Sequence, residues 1–177
     1  MLVERLEPRH QKMLPAFRTT STELGSFLVE DALKDQGIAV SITYLWLYRE
    51  PRELVGYVTL LTDSLRLQET ELQKKFLEKG VLYKSLPALK IGRLCVDDRF
   101  IRRGIGTVIA KFAMITAVRM NETAGCRFLV ADAKKDSVSF YRKLGFDTLE
   151  SKRKETIPMF FDLLNMINQY REGKLNV

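Results

Sequence analysis

The stretch from Ile91 to Gly106, IGRLCVDDRFIRRGIG, constrains this chain more than any other. It begins inside an apolar run, Leu89 to Val96, and crosses a short charged turn. It then delivers Gly104 and Gly106 at the mouth of a long apolar-periodic segment. A strand feeding a glycine-bearing turn that opens a helix is an anion-binding construction. The first helical N–H groups lack intrahelical partners, and the helix dipole places partial positive charge among them. Glycine lets a phosphate approach the backbone closely, and Arg102 and Arg103 add cations at the rim. The expected ligand therefore carries phosphate.

Length and charge limit what surrounds that turn. A chain of 177 residues with 46% hydrophobic content can bury one good core, so residues 1–177 are expected to form a single domain. The 29 Lys and Arg against 22 Asp and Glu give a net charge of +7, which favours polyanions such as RNA or a phosphorylated cofactor. Cys95 and Cys126 show neither metal-ligand spacing nor a pairing signal, so both read as reduced thiols and no metal site is expected. The opening MLVERLEPRH lacks the apolar core of a signal peptide, and no run approaches the ~20 apolar residues of a membrane span. A cytoplasmic protein that does not cross a membrane is the expectation.

Along the chain, Leu2 to Leu6 alternates as a short strand ending at Pro8. Ser21 or Thr22 caps a helix carrying Leu24, Phe27, Leu28, Ala32 and Leu33 to Gly37. Ile38–Tyr48 and Leu54–Leu61 read as neighbouring antiparallel strands joined through REPRE. Thr70–Lys79 is a short helix closed by Gly80. The central strand follows Leu86-Pro87, and Thr107–Met120 is a helix with Val108, Ile109, Phe112, Ala113 and Ile115 on one face. Arg127–Ala131 is a strand, and Asp136 or Ser137 starts a helix bearing Phe140, Tyr141 and Leu144 that Gly145 ends. Ile157–Leu164 and Leu164–Tyr170 are a last strand and helix. The order predicts an α/β fold, a mixed and mostly antiparallel sheet flanked by helices.

Three phosphate-binding turns fit two glycines. A Walker loop needs Lys before Ser or Thr after its second glycine, and Gly104-Ile105-Gly106-Thr107 has none. A dinucleotide fingerprint needs a third small residue where Ile109 stands and an acidic residue about 20 positions on; Asp132 comes too late. The third is broader. LCVDDRFIRRGIGT, a long helix, an apolar strand and then SFYRKLGF about forty residues on resemble the GNAT superfamily of acetyl-CoA-dependent N-acetyltransferases. The likeness is close over the last half of the chain, and ELVGYVTLL sits where that family has its third strand.

The resemblance implies a GNAT-like fold, acetyl-CoA as cosubstrate and a specific set of residues. Leu94, Cys95 and Val96 would pair through their backbone with the pantetheine arm. Arg102, Arg103, Gly104, Ile105, Gly106 and Thr107 would present N–H groups to the pyrophosphate. An N–H near Val96 would meet the oxyanion. Two positions depart from the family: Ile101 stands where Gln or Arg usually begins the phosphate turn, and Lys134 where many members have Asn. Tyr141 resembles the family's proton donor to the leaving thiolate; a phenol near pKa ~10 facing a thiol near ~8.5 needs help from its surroundings. The alternative for Tyr141 is an aromatic on the buried face of its helix.

No general base is assigned. Asp97, Asp98 and Asp132 lie at predicted strand ends, where turn-forming aspartates are the commoner case. His10, the sole histidine, reads as a surface residue. For the acceptor, STELGSFL, GYVTLL and LKIGRLCVDDRF are similar to a branch that includes toxin-like enzymes acetylating the amino group of aminoacyl-tRNA, which makes tRNA a candidate beside small-molecule or protein amines. Lys134–Lys154 holds seven Lys and Arg against three Asp and Glu, with Lys152, Arg153 and Lys154 clustered. A non-catalytic CoA- or RNA-binding module on the same scaffold is the alternative class. The apolar segment MFFDLLNMI suits a core or a homodimer partner equally.

Overall fold

The computed structural model describes residues 1–67, 71–149 and 155–175. Among the described residues, seven strands join in the order β1-β2-β3-β4-β5-β7-β6. They are β1 (Leu2–Arg5), β2 (Ile42–Tyr48), β3 (Glu53–Arg66), β4 (Ser85–Val96), β5 (Phe128–Lys134), β6 (Asp147–Thr148) and β7 (Thr156–Asp162). The β1–β2, β2–β3, β5–β7 and β6–β7 pairings are antiparallel. The helices are α1 (Thr22–Ser26), α2 (Ala32–Gly37), α3 (Glu71–Leu77), α4 (Ile105–Met120), α5 (Val138–Lys143) and α6 (Leu164–Arg171), with a π-helical turn at Phe27–Asp31 joining the first two. This is the α/β class expected, a mostly antiparallel sheet with helices.

The chain divides into two compact units: Met1–Leu61 with Ile91–Ala113, and Thr62–Lys90 with Met114–Val177. In the first, the two-residue period of β2 separates two environments. Leu45 and Leu47 join a cluster with Leu6, Leu14, Leu28, Ala32, Leu54, Tyr57 and Cys95. Tyr44 and Trp46 meet the Phe112 ring of α4 edge-on at 4.9 and 5.1 Å. Buried Tyr57 satisfies its hydroxyl by donating to the Leu24 carbonyl at 2.7 Å. In the second unit Leu65, Leu67, Leu86, Ala88, Phe128, Val130 and Phe160 form a cluster under Leu72, Phe76 and Val81.

Several expectations need correction. The strand from Ile38 begins only at Ile42, because residues 38–40 still close the helix before them. Val40 N–H reaches the Asp35 carbonyl at 2.9 Å, and Ala39, not Gly37, takes the left-handed conformation at φ 60°. Val108 is 46% exposed, since the buried face of α4 runs through Ile105, Ile109, Ala110, Ala113, Met114, Ala117 and Val118. β5 extends past Ala131 to Lys134, held by β7 as far as Thr156. The pair Asp147–Thr148 is a strand that two residues are too few to announce. His10 is 2% exposed rather than superficial. Its Nδ1 accepts from Glu7 N–H at 3.0 Å, and its Nε2 lies 3.0 Å from Glu4 Oε2, an arrangement that fits the Nε2–H tautomer. MFFDLLNMI turns Met159, Phe160, Leu163 and Ile167 into the chain itself. Gly80 does end α3 as expected, at φ +75°. Thr70 and the cluster Lys152, Arg153 and Lys154 lie outside the described residues.

Candidate active site

In the first unit, the end of β4 is fastened before the glycine turn begins. Asp97 has no solvent exposure, and its N–H donates to the Val55 carbonyl of β3 at 2.9 Å. Its Oδ1 accepts from Arg99 N–H at 3.0 Å and Arg99 Nε at 2.8 Å, and its Oδ2 from Arg18 N–H at 2.8 Å and Arg99 Nη2 at 2.7 Å. Burial alone would raise the Asp97 pKa. The hydrogen bonds from Arg99 and from the Arg18 and Arg99 amides outweigh burial and hold the carboxyl below its usual range. Asp98 accepts from Thr20 N–H at 2.7 Å. Both aspartates therefore organise the turn, as turn aspartates do, and Asp97 has no exposed surface to present to a substrate.

Beyond this anchor the backbone turns through left-handed residues, Arg102 at φ 61° and Gly104 at φ 78°. Ile105 then enters the core at 4% exposure and starts α4. A Cβ placed on Gly104 would meet nothing within 4 Å. The first helical bond is Val108 N–H to the Gly104 carbonyl at 3.2 Å, and among the described residues the N–H groups of Arg102 to Thr107 make no hydrogen bond. That row of free donors on an exposed turn suits an anion, which would approach the backbone at Gly104 unhindered. Arg99 and Arg103 lie over the Phe100 ring at 5.2 and 5.4 Å, which stiffens the approach to the turn.

Leu94, Cys95 and Val96 precede the anchor on β4. Cys95 is 7% exposed, its neighbours are half-buried, and burial pushes its thiol pKa up, so it packs rather than reacts. Gly56 of β3 sets the spacing behind them. An added Cβ there would lie 2.7 Å from Ile109 Cδ1 and 3.0 Å from the Cys95 carbonyl oxygen. Glycine thus admits α4 close to the strands, a requirement hidden inside the sequence VGYV.

Tyr141 belongs to the second unit. A 3-10 turn, Lys135–Ser137, leads from β5 into α5, and the helix ends in a Schellman cap. Phe146 N–H reaches the Tyr141 carbonyl at 3.1 Å, Gly145 N–H reaches the Arg142 carbonyl at 2.9 Å, and Gly145 sits at φ 89°. The hydrophobic contact that accompanies such a cap is Phe146 against Tyr141, ring centroids 5.2 Å apart, with Phe140 on the other side at 5.1 Å. Tyr141 is 7% exposed, and burial pushes its pKa up to about 12. Among the described residues its hydroxyl has no hydrogen-bond partner, so aromatic packing alone sets the ring. FYxxxGF is therefore a mechanical unit: glycine makes the cap, and the cap clamps the tyrosine. Gly145→Ala is expected to destabilise the protein by about 1–2 kcal/mol, from the left-handed backbone and from a Cβ 3.1 Å from Phe161 Cε2; urea denaturation measures it.

Asp132 is not a turn residue. It lies within β5 and accepts from Lys90 Nζ at 2.8 Å, while Lys90 also meets Asp63 at 3.3 Å. Sequence gave no sign of that triple, whose members come from three strands. Lys134 is the exposed last residue of β5. Leu94–Val96 and Arg102–Thr107 fall in the first unit and Tyr141 in the second. Among the described residues no group of three or more His, Cys, Asp or Glu is placed to hold a metal ion, and no helix is long and apolar enough to cross a membrane.

Solved structures share this fold. AtaT complexed with acetyl-methionyl-tRNAfMet superposes with a TM-score of 0.83 at 22% identity, covering 96% of this chain and 98% of that one. A tyrosine-to-phenylalanine mutant of KacT gives 0.80 at 20% identity over 96% and 98%. AtaTR bound with acetyl-CoA gives 0.78 at 23% identity over 96% and 97%. The family model described as an acetyltransferase (GNAT) domain matches residues 13–162, most of the chain. The chain belongs to the GNAT acetyltransferase family, enzymes that move an acetyl group from acetyl-CoA to an amine.

Proposed function

We propose that residues 1–177 work as one acetyltransferase domain whose acceptor is the amino group of an aminoacyl-tRNA. The observation that carries the cofactor side is the unpaired row of N–H groups from Arg102 to Thr107, which fits a pyrophosphate. Leu94, Cys95 and Val96 line the pantetheine arm, and the buried Tyr141 hydroxyl donates toward the departing sulfur. Acetyl-CoA, when bound, supplies the activated acetyl group. The chain's own residues orient it, keep water from it and stabilise the charge that develops.

On the acceptor side, the net charge of +7 favours a polyanion, and the fold is shared with AtaT, whose structure holds acetyl-methionyl-tRNAfMet. Lys134, Lys135, Arg142 and Lys143 are exposed before and along α5, the helix that carries Tyr141. A cytoplasmic setting agrees with two free cysteines, Cys95 and Cys126. Acetylation of a set of charged tRNAs is expected, falling steeply as salt rises. If small amines are acetylated under conditions that leave every charged tRNA unmodified, the acceptor assignment is wrong and the acetyltransferase assignment stands.

A further inference from the structure

In the second unit, the turn between α3 and β4 displays two side chains that its own packing does not use. α3 ends in a Schellman cap: Val81 N–H reaches the Phe76 carbonyl at 2.9 Å, Gly80 N–H reaches the Leu77 carbonyl at 2.9 Å, and Gly80 is left-handed at φ 75°. Phe76 and Val81 pack on the buried cluster of that unit, the contact that accompanies such a cap. At the other end Leu67 N–H donates to the Lys84 carbonyl at 2.9 Å, and Leu86 is buried. Leu82 and Tyr83 lie between these two fastenings and are 79% and 72% exposed. A turn pinned at both ends holds them in solvent instead of letting them fold back onto the core.

Among the described residues, Tyr83 is the one exposed aromatic. Leu77, 46% exposed, extends the apolar surface to the last turn of α3. Cations surround it: from Lys74 to Lys84 four lysines stand against one acid, Glu78. Lys75, Lys79 and Lys84 are exposed, and none has an ion-pair partner among the described residues. The bond from Leu67 to Lys84 brings exposed Arg66 to the same end of the turn. A free ring face with cations on either side is what a single strand of nucleic acid fits, because every nucleotide carries a flat base next to a phosphate. An uncharged apolar partner would strip water from the lysines and offer them nothing in exchange. The turn leads into the start of β4, beside the start of β5, where Arg127 N–H donates to the Pro87 carbonyl at 2.9 Å. α5 and Tyr141 follow the other end of β5, about 20 Å along that strand.

We propose that the Leu82–Tyr83 turn is a docking surface for a single strand of nucleic acid, separate from the acyl-transfer site. The Tyr83 ring stacks on one base, with Leu77 and Leu82 against the base edges and sugar. Lys79 and Lys84 meet the phosphates to either side. Such a surface grips without reading sequence, since every base has a face to stack.

The test measures binding by the intact protein, without acetyl-CoA, of a fluorescein-labelled oligoadenylate of about ten nucleotides and of an abasic ribose-phosphate strand of equal length. The variants are Tyr83→Ala, Tyr83→Phe, Lys79→Gln and Lys84→Gln, all at exposed positions, where the Tm is expected to stay at the wild-type value. Wild type is expected to bind oligoadenylate more tightly than the abasic strand by about fivefold to a hundredfold, the effect of one stacked base; Tyr83→Ala removes the difference and Tyr83→Phe keeps it. Each lysine substitution is expected to lower the slope of log affinity against log salt by about 0.7. Equal binding of the two strands by wild type, or undiminished binding of oligoadenylate by Tyr83→Ala, overturns the stacking surface. Binding of neither strand at low salt also overturns it and leaves the turn to a protein partner. Acetyl transfer enters none of these measurements, so the surface stands or falls apart from the acyl-transfer reading.

Discussion

Tyr141→Phe is expected to lower kcat by about a hundredfold to ten-thousandfold, the span of positioned proton donors, while the Kd for acetyl-CoA stays at the wild-type value. The ring survives the substitution in its clamp between Phe140 and Phe146, so only the hydroxyl is removed. That hydroxyl has one feature that sets its role. Its pKa of about 12 lies above the ordinary phenol, and a free thiol sits near ~8.5. Full transfer from tyrosine to a departed thiolate is then uphill by roughly 5 kcal/mol, at about 1.4 kcal/mol per pKa unit. In the reaction proposed above, Tyr141 would therefore act first as a hydrogen-bond donor to the sulfur as its bond to carbon opens, with the proton settling there only with the help of solvent.

The same value fixes the pH dependence. A group whose pKa is raised to about 12 stays protonated throughout the working range, so ionisation of Tyr141 cannot cause an alkaline fall in rate. kcat/KM is expected to rise with pH as the acceptor amine loses its proton, then to level off. Thiol release followed across pH in wild type and Tyr141→Phe measures both effects. Equal turnover in the two proteins would remove Tyr141 from the chemistry. Thiol release in neither, with acetyl-CoA bound, would favour a binding module on this scaffold.

What could be anticipated from sequence was local in origin. Gly80 and Gly145 announce helix ends because a left-handed residue is needed there and glycine supplies it without strain. The Gly104 turn is legible for the same reason, and the free N–H groups follow from how any helix begins. Ala39 escaped because it performs a glycine's task two residues after an actual glycine, Gly37. The side-chain networks escaped because their partners are remote: Arg18 and Asp97 are 79 residues apart, and Lys90 and Asp132 are 42 apart. No periodicity records such a pairing. His10 went inside for a related reason, since its two nitrogens are satisfied by Glu7 and Glu4 only after β1 and the 3-10 turn following it have closed on each other.

Asp97→Asn separates an anchor from a base. Asparagine keeps the shape of the side chain and replaces one acceptor oxygen with an NH₂ donor. Whichever way the amide turns, that NH₂ faces either Arg99 N–H and Nε, or Arg18 N–H and Arg99 Nη2. Two donors are left opposing a donor in a place closed to solvent, while Arg99 keeps its pair with Glu53 and its contacts with the Ala16 carbonyl and the Phe100 ring. Removing one partner of a buried ion pair costs about 3–5 kcal/mol, and the one-third exposure of Arg99 puts the expected loss near ~3 kcal/mol. For a chain of this size that is a fall in Tm of about 6–12 °C. The pH signature is equally specific. Because the folded pKa of Asp97 is depressed, its stabilisation is fully present above the ordinary carboxylate range near ~4 and fades as pH falls through the lower folded value. The variant should lack that acid limb, while kcat per folded molecule, measured well below its Tm, stays within a few fold of wild type. A variant that melts with the wild type and has lost its turnover would instead place the Asp97 carboxylate in the reaction itself.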